Sequence, residues 1–184
     1  MFRILVVCTG NVCRSPMGEG ILKHLLAQQG LADRAEVRSA GTWGSSGAAA
    51  SDFAVRAAAE HGIRIENHRS SPLRRSLVRE ADLILAMEPA HLEEVLVQEP
   101  EASTKAFLLT TFADPERGDP GGVEDPFGAD LDSYRTTYDE VDHLLRLGLP
   151  RVLRMIQEAD RLRAQAQPEV ENHPKGPGRA TDSR

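Results

Sequence analysis

The sequence contains little cysteine and no long apolar run. Cys8 and Cys13 are the only cysteines in its 184 residues, too few for a disulfide scaffold or a four-ligand zinc site. No apolar run approaches the roughly 18–20 residues that span a bilayer. The N-terminus also lacks the charged segment, the long apolar core and the cleavage site of a signal peptide. We therefore expect a cytoplasmic protein without a membrane partner.

Positive charge is also scarce. The formal net charge is −6 at pH 7, whereas proteins that bind the phosphate backbone of nucleic acids carry a basic surface. The six histidines show no metal-ligand spacing such as His-x3-His. These observations argue against a nucleic-acid partner and against a metal site.

The rest of the composition, with 40% apolar residues, is typical of a globular domain. Short apolar runs alternate with stretches of helical periodicity, which favours an α/β fold with a parallel sheet. Four strands joined by right-handed crossovers would form a small doubly wound fold, with helices on both faces and the flavodoxin-like strand order. The predicted strands cover residues 3–8, 36–40, 82–87 and 105–109, and the predicted helices cover residues 16–29, 48–61, 72–80, 89–98 and 130–162.

Two segments depart from this regular pattern. Residues 113–127 hold three Asp-Pro pairs, which predicts a long loop, and long loops in compact domains are often functional. Residues 164–184 are polar and rich in proline and glycine, which predicts a disordered tail. We therefore predict one domain over residues 1–163, followed by that tail.

The loop after the first predicted strand carries the residues of a phosphate site. Cys8 and Arg14 have the Cys-x5-Arg spacing of enzymes that take phosphate onto a cysteine. Gly10 and Asn11 tolerate left-handed backbone dihedrals, so the loop's N–H groups can converge on an anion at the start of the next helix. Ser15, which a proline follows, is predicted to be the N-cap of that helix. Arg14 can hold two phosphoryl oxygens, and the same donors favour the thiolate of Cys8, to which Ser15 could also donate.

Residues 7–16, Val-Cys-Thr-Gly-Asn-Val-Cys-Arg-Ser-Pro, resemble the signature of the low-molecular-weight protein tyrosine phosphatases, and the likeness covers residues 1 to about 160. The resemblance implies hydrolysis of phosphotyrosine in two steps through a phosphocysteine, without metal or cofactor. It implies that Cys8 is the nucleophile and Arg14 the phosphate clamp. Loop-support and phosphate-binding roles are implied for Thr9, Gly10, Asn11, Val12, Cys13, Ser15, Ser39 and His68.

The general acid is less clear from the residues alone. A phenol leaving group has a pKa near 10, so a positioned acid would help it to depart. Asp114, Asp119 and Asp125 each precede a proline, and this context does not separate them. The segment Val-Glu-Asp-Pro-Phe at 123–127 resembles the family's acid loop, which implies Asp125 as the acid.

The resemblance also implies a substrate cleft and its partners. Trp43 and Phe127 fall where the family places aromatic cleft walls. Family members often carry a second aromatic directly after the first, whereas this chain has Gly128, so we expect a more open cleft. The implied partners are phosphotyrosine-containing proteins, with a tyrosine kinase as one candidate, and we expect a monomer. The family's use of a second loop cysteine implies redox control through Cys8 and Cys13.

Three alternatives stay open. An arsenate reductase could use the same cradle, but the thioredoxin-coupled type needs two further cysteines, and none follows Cys13. Protein-arginine phosphatases of the same family tend to carry threonine where this chain has Val12. An FMN-binding carrier of the flavodoxin type could use the Thr-Gly-Asn segment at 9–11, but it would need neither the cysteine nor the arginine.

Overall fold

The computed structural model describes residues 1–118 and 121–166. Four parallel strands form one sheet with the order β2-β1-β3-β4, which confirms the predicted fold class and strand order. Each strand lies within one residue of its predicted ends. The strands are β1 (Phe2–Cys8), β2 (Ala35–Gly41), β3 (Leu83–Ala86) and β4 (Ala106–Leu108).

Six helices and one short 3-10 turn cover the sheet in the described part of the chain. The helices are α1 (Arg14–Gln28), α2 (Asp52–Glu60), α3 (Arg75–Glu80), α4 (Pro89–Gln98), α5 (Leu109–Ala113) and α6 (Leu131–Ala166), and the 3-10 turn is Pro100–Thr104. Among these residues, no helix has the length and apolar character that crossing a membrane requires.

The strands are buried on both faces because their side chains alternate between two apolar clusters. Ile4 and Val6 of β1 pack in the larger cluster, with side chains of α1, α2, α5 and α6. Leu5 and Val7 face the opposite way and pack in the smaller cluster, with residues of α3 and α4. Burying one such side chain contributes roughly 1.5–3 kcal/mol. This two-sided burial explains why β1 reads as a continuous apolar run.

The start of α1 differs from the prediction. The helix begins at Arg14 with Cys13 at the N-cap position, and no side chain caps it. Ser15 is therefore not the N-cap, because its hydroxyl is engaged by Cys8 and Asn11. The predicted end is close to the observed one: Gly30 has a φ of 68° and its successor, Leu31, donates back to the carbonyl of Leu26.

Other helix boundaries also differ. α2 starts four residues late, because the Ser51 hydroxyl accepts from the N–H of Ala54 and caps the helix there. α3 starts three residues late, because Pro72 forms a β-bridge with Gly41 at the edge of the sheet. The short helix α5 was not predicted. α6 runs to Ala166, three residues into the predicted tail, since its last turns contain good helix formers; the rest of that tail, 167–184, lies outside the described residues.

Candidate functional site

The candidate site lies at the carboxyl end of β1, where residues 9–13 turn into α1. Asn11 adopts a left-handed φ of 55°, as predicted for a tight anion-binding loop. The end of β2 supports the loop, because the N–H of Thr42 donates to the carbonyl of Cys8 and that of Trp43 to the carbonyl of Thr9, both at 2.9 Å. Together these contacts hold the loop against the sheet.

The Cys8 sulfur is buried and faces two hydrogen-bond donors. Ser15 Oγ lies 2.9 Å from Cys8 Sγ, and the N–H of Asn11 donates to the same sulfur at 3.3 Å. Ser15 Oγ also accepts from Asn11 Nδ2 at 2.8 Å, so its own hydrogen is available to the sulfur. Two donors aimed at the sulfur stabilise a thiolate, both as attacking group and as leaving group.

Asn11 is fully buried, and every hydrogen-bonding group of its side chain has a partner. Nδ2 donates to Ser15 and, at 2.8 Å, to Ser39 Oγ, while Oδ1 accepts from the N–H of Ser71 at 2.8 Å. His68 Nε2 lies 2.9 Å from the Asn11 carbonyl oxygen. Ser39 and His68, for which the resemblance implies loop support, thus both contact Asn11.

Glu19 extends this network, and the sequence analysis missed it. Ser39 Oγ donates to Glu19 Oε2 at 2.5 Å, which leaves the Ser39 oxygen to accept from Asn11. Glu19 lies one helical turn after Ser15 on α1, and residues four apart share a helix face. That spacing is a signal by which Glu19 could have been found.

Arg14 is the buried cation of the site, with 1% of its surface exposed. Its Nη1 donates to the carbonyl of Val123 at 2.8 Å and contacts Glu88 Oε2 at 3.1 Å. Its Nη2 donates to Thr9 Oγ1 at 3.1 Å and to Asp125 Oδ2 at 2.7 Å. Arg14 Nε is buried and has no hydrogen-bond partner among the described residues. A buried guanidinium with an unused donor at the start of a helix suits an anion.

Asp125 is the aspartate that the structure brings to this loop. Its carboxylate pairs with Arg14, and its Oδ1 accepts from the N–H of Phe127 at 3.3 Å. Asp114 lies instead in a turn after α5, where its Oδ1 accepts from the N–H of Glu116. Asp119 lies outside the described residues. Within the described part of the chain, Asp125 is therefore the Asp-Pro aspartate that can act beside Cys8.

A small cleft of about 170 Å³ opens above the sulfur. Phe127 lines it and is 71% exposed, so an apolar ring borders the entrance. Trp43 is 87% exposed, and its side chain does not line this cleft, although its N–H bonds to the loop. The lining consists of Cys8, Thr9, Gly10, Val12, Cys13, Asp125 and Phe127.

Cys13 lies under the loop and differs from Cys8 in its surroundings. Its sulfur is 3.3 Å from the hydroxyl of Tyr134, and burial raises the pKa of the Cys13 thiol. Burial likewise raises the pKa of Tyr134 to about 12. Both groups therefore keep their protons at neutral pH, so Cys13 does not compete with Cys8 as a nucleophile.

Two further residues of the site, Glu88 and His91, were not predicted. Both lie at the start of α4, directly after β3, whose end adjoins that of β1. The order of the strands could have indicated them, because polar residues after neighbouring parallel strands meet at one edge. Within the described residues, no group of three or more His, Cys, Asp or Glu could hold a metal ion.

The comparisons with known proteins agree with this geometry. The family model "Low molecular weight phosphotyrosine protein phosphatase" matches residues 3–158. The protein-arginine-phosphatase of Bacillus subtilis is 42% identical over 143 residues, covering 78% of this chain and 91% of that protein.

Two solved structures also match. The low molecular weight protein tyrosine phosphatase of T. tengcongensis has a TM-score of 0.75 and 38% identity, over 82% of this chain and 99% of that one. A cysteine-to-serine mutant of the YwlE arginine phosphatase, with a phosphorylated active-site serine, has a TM-score of 0.74 and 36% identity, over 89% of this chain and 99% of that one. The chain therefore belongs to the low-molecular-weight phosphotyrosine protein phosphatase family.

Proposed function

We propose that this protein hydrolyses phosphotyrosine without a metal ion, through a phosphocysteine on Cys8. One observation carries the proposal: the Cys8 sulfur and the Asp125 carboxylate lie at a single cleft, and the buried Arg14 guanidinium pairs with that carboxylate at 2.7 Å. A nucleophile, an anion clamp and a proton donor are the groups that a two-step phosphate transfer requires.

The first step forms the phosphoenzyme. The loop N–H groups and Arg14 hold the phosphoryl oxygens, and the Cys8 thiolate attacks phosphorus. The S–P bond forms as the bond from phosphorus to the tyrosyl oxygen breaks. Asp125, one hydrogen bond from Arg14, donates its proton to that departing oxygen.

The second step returns the enzyme to its starting form. The Asp125 carboxylate takes a proton from water, and the water oxygen attacks phosphorus. The P–S bond breaks, and the thiolate leaves with the support of Ser15 and of the Asn11 N–H. The phosphorylated active-site serine of the YwlE mutant supports a covalent intermediate at the corresponding position here.

The leaving group separates the main proposal from an alternative. Val12 is apolar and lines the cleft beside Phe127, which favours a flat aromatic ring in the substrate. The alternative is phosphoarginine, since the Bacillus subtilis relative is a protein-arginine-phosphatase. We also propose that the substrates are phosphotyrosine-containing proteins, a tyrosine kinase among them. The protein itself is proposed to be a cytoplasmic monomer.

A comparison of three substrates tests the proposal. Peptides of one sequence carrying phosphotyrosine, phosphoarginine or phosphoserine are incubated with the protein in the presence of a metal chelator. We expect the highest kcat/KM for phosphotyrosine, no turnover by Cys8→Ser, and a shift toward phosphoarginine in Val12→Thr. A preference of the wild type for phosphoarginine would show that phosphoarginine, and not phosphotyrosine, is the substrate. Turnover by Cys8→Ser would exclude the mechanism.

A further inference from the structure

Four side chains at the carboxyl ends of β1 and β3 form a closed ring of polar contacts around the clamp. Arg14 Nη2 donates to Thr9 Oγ1 at 3.1 Å, and Thr9 Oγ1 lies 2.8 Å from His91 Nε2. His91 Nε2 is 3.3 Å from Glu88 Oε2, which returns to Arg14 Nη1 at 3.1 Å. Thr9 contacts one terminal nitrogen of Arg14 and Glu88 contacts the other. His91 contacts both Thr9 and Glu88, so it links the two.

His91 is buried, and its two ring nitrogens are in different situations. Its exposed fraction is 3%, and Nδ1 has no hydrogen-bond partner among the described residues. A buried N–H without an acceptor is costly, so the proton of the neutral ring belongs on Nε2, beside the Glu88 carboxylate and the Thr9 oxygen. With Arg14 and His91 both donating to it, the Thr9 hydroxyl keeps its own hydrogen to donate into the cleft that it lines.

We propose that His91, in its neutral form, is a positioning residue that keeps Thr9 and Glu88 against Arg14 and so orients the guanidinium for the phosphoryl group. This rests on the proposed function, because it assigns Arg14 the binding of the substrate's phosphate. His91 acts through Thr9 and Glu88 and does not touch the reacting atoms.

The ring is sensitive to protonation of His91. The charged groups that face it are Arg14 of α1, Glu88 at the start of its own helix and Asp125 of the acid loop. Burial and the charge of Arg14 lower the pKa of His91 below its ordinary value of 6.5, against the opposing effect of the two carboxylates. At neutral pH the ring is therefore intact. In acid, a proton on Nδ1 places a second N–H where it has no acceptor and a positive charge beside Arg14, so phosphate affinity falls.

The test measures sulfate affinity by calorimetry between pH 5 and 8, together with KM and kcat for p-nitrophenyl phosphate. Sulfate suits this purpose because it remains a dianion over that range. For His91→Ala we expect about a tenfold loss of sulfate affinity and a similar rise in KM at pH 7, with kcat within about threefold, because the contact serves bound substrate and transition state alike.

Two further variants separate positioning from folding. His91→Gln keeps an N–H near the position of Nε2 and does not titrate, so it should restore the affinity at pH 7 and lose the acid-side decline. Thr9→Val should resemble His91→Ala, and the double variant should be no worse than either one. His143→Ala, at an exposed position on α6, is the matched control and should behave as wild type.

The outcomes are distinct. Unchanged sulfate affinity in His91→Ala, failure of His91→Gln to restore it, or additive losses with Thr9→Val would each overturn the ring. If wild type bound no sulfate, the anion clamp itself would be wrong. The sulfate affinities could follow these expectations in a protein that did not hydrolyse phosphotyrosine. That result would support the ring and reject the proposed function.

Discussion

Asn11, Ser15 and Cys8 form a chain beneath the phosphate loop in which the direction of each hydrogen bond is fixed by the one before it. Asn11 accepts from a backbone N–H through Oδ1, so its Nδ2 must donate, and Ser15 Oγ must therefore accept from it. The Ser15 hydrogen is then left for the Cys8 sulfur. A buried polar group without a partner costs about 1–3 kcal/mol, so this chain of bonds lets the site place polar residues in the core.

Asp125 should matter most for poor leaving groups. Asp125→Asn removes the proton donor, so we expect kcat for phenyl phosphate to fall by about 10²–10⁴-fold and kcat for p-nitrophenyl phosphate to fall much less. Steady-state kinetics with both esters measures the difference. Asp114→Asn, in the turn after α5, is the control and should behave as wild type. Equal losses for the two esters would show that Asp125 does not protonate the leaving oxygen.

Cys13 should make oxidation of Cys8 reversible. Peroxide oxidises the Cys8 thiolate to a sulfenic acid. The Cys13 thiol then gives up its proton as its sulfur attacks that group, so an S–S bond forms and water is released. The protonated Cys13 thiol resists direct oxidation, and both sulfurs belong to residues that line one cleft. We expect dithiothreitol to restore activity in wild type and not in Cys13→Ala after peroxide, with the disulfide seen by mass spectrometry. Equal recovery in both would exclude this protection.

The residues of the loop could be predicted because they are contiguous in the sequence. Glu88 and His91 were missed, since 82 residues separate Thr9 from His91 and only the strand order, not a local pattern, brings them together. The sequence around Ser15 predicted a helix N-cap, but the Ser15 hydroxyl contacts the Cys8 sulfur instead. Local patterns cannot show which of two hydrogen-bond partners a side chain will take.

The same limit appears for the helices and strands. The buried strands were predictable because an apolar run between turn signals has one common explanation in an α/β chain. α5 was not, because β4 passes directly into it and buried apolar residues, Leu108, Leu109 and Phe112, occur on both sides of the junction. Five residues are too few to show a helical period.

The end of β2 limits the space available to the phosphate loop. A Cβ on Gly41 would lie 2.6 Å from the Thr9 carbonyl oxygen and 2.9 Å from the Asn11 nitrogen, so the loop backbone would have to move. We expect Gly41→Ala to lower kcat/KM at least tenfold and to lower the free energy of unfolding by about 1–3 kcal/mol. Enzyme kinetics and denaturant unfolding measure these effects.

A matched glycine variant controls for the change of residue type. A Cβ on Gly118 meets no atom of the described residues within 4 Å, so Gly118→Ala should leave both activity and stability near those of wild type. If Gly41→Ala kept full activity, the contact between β2 and the loop would not position the catalytic groups.

In the molecule as a whole, α6 connects the helices that pack in the larger apolar cluster. It packs against α1, α2 and α5, and Arg135 forms two hydrogen bonds with Glu60 of α2, at 2.8 and 2.6 Å. Ile156 is the last buried residue of α6. These contacts tie the stability of the fold partly to ion pairs, and the domain boundary at residue 163 stays a prediction.

Stability of the whole fold should therefore fall in acid. The hydrogen bond from Arg135 lowers the pKa of Glu60, and that from Arg75 lowers the pKa of Glu99, each below the ordinary 4.5. Burial lowers the pKa of His91 below 6.5. In all three cases the unfolded chain binds the proton at a higher pH than the folded protein, so the stabilisation is complete above the unfolded pKa and is lost progressively as pH falls from that value through the lower pKa of the folded protein.

We expect the melting temperature to be level near pH 7, to begin falling below about pH 6.5 as His91 titrates in the unfolded chain, and to fall further below about pH 4.5 as the carboxyls do. Calorimetric melting between pH 3.5 and 8 measures the profile. Glu60→Gln should flatten its lowest part and His91→Gln its upper part, because each removes one group that takes up a proton on unfolding. Glu101→Gln, at an exposed position, should leave the profile unchanged. A melting temperature that rose on acidification from pH 7 to 5 would contradict the sign of this linkage, since it would require the folded protein to bind more protons than the unfolded chain.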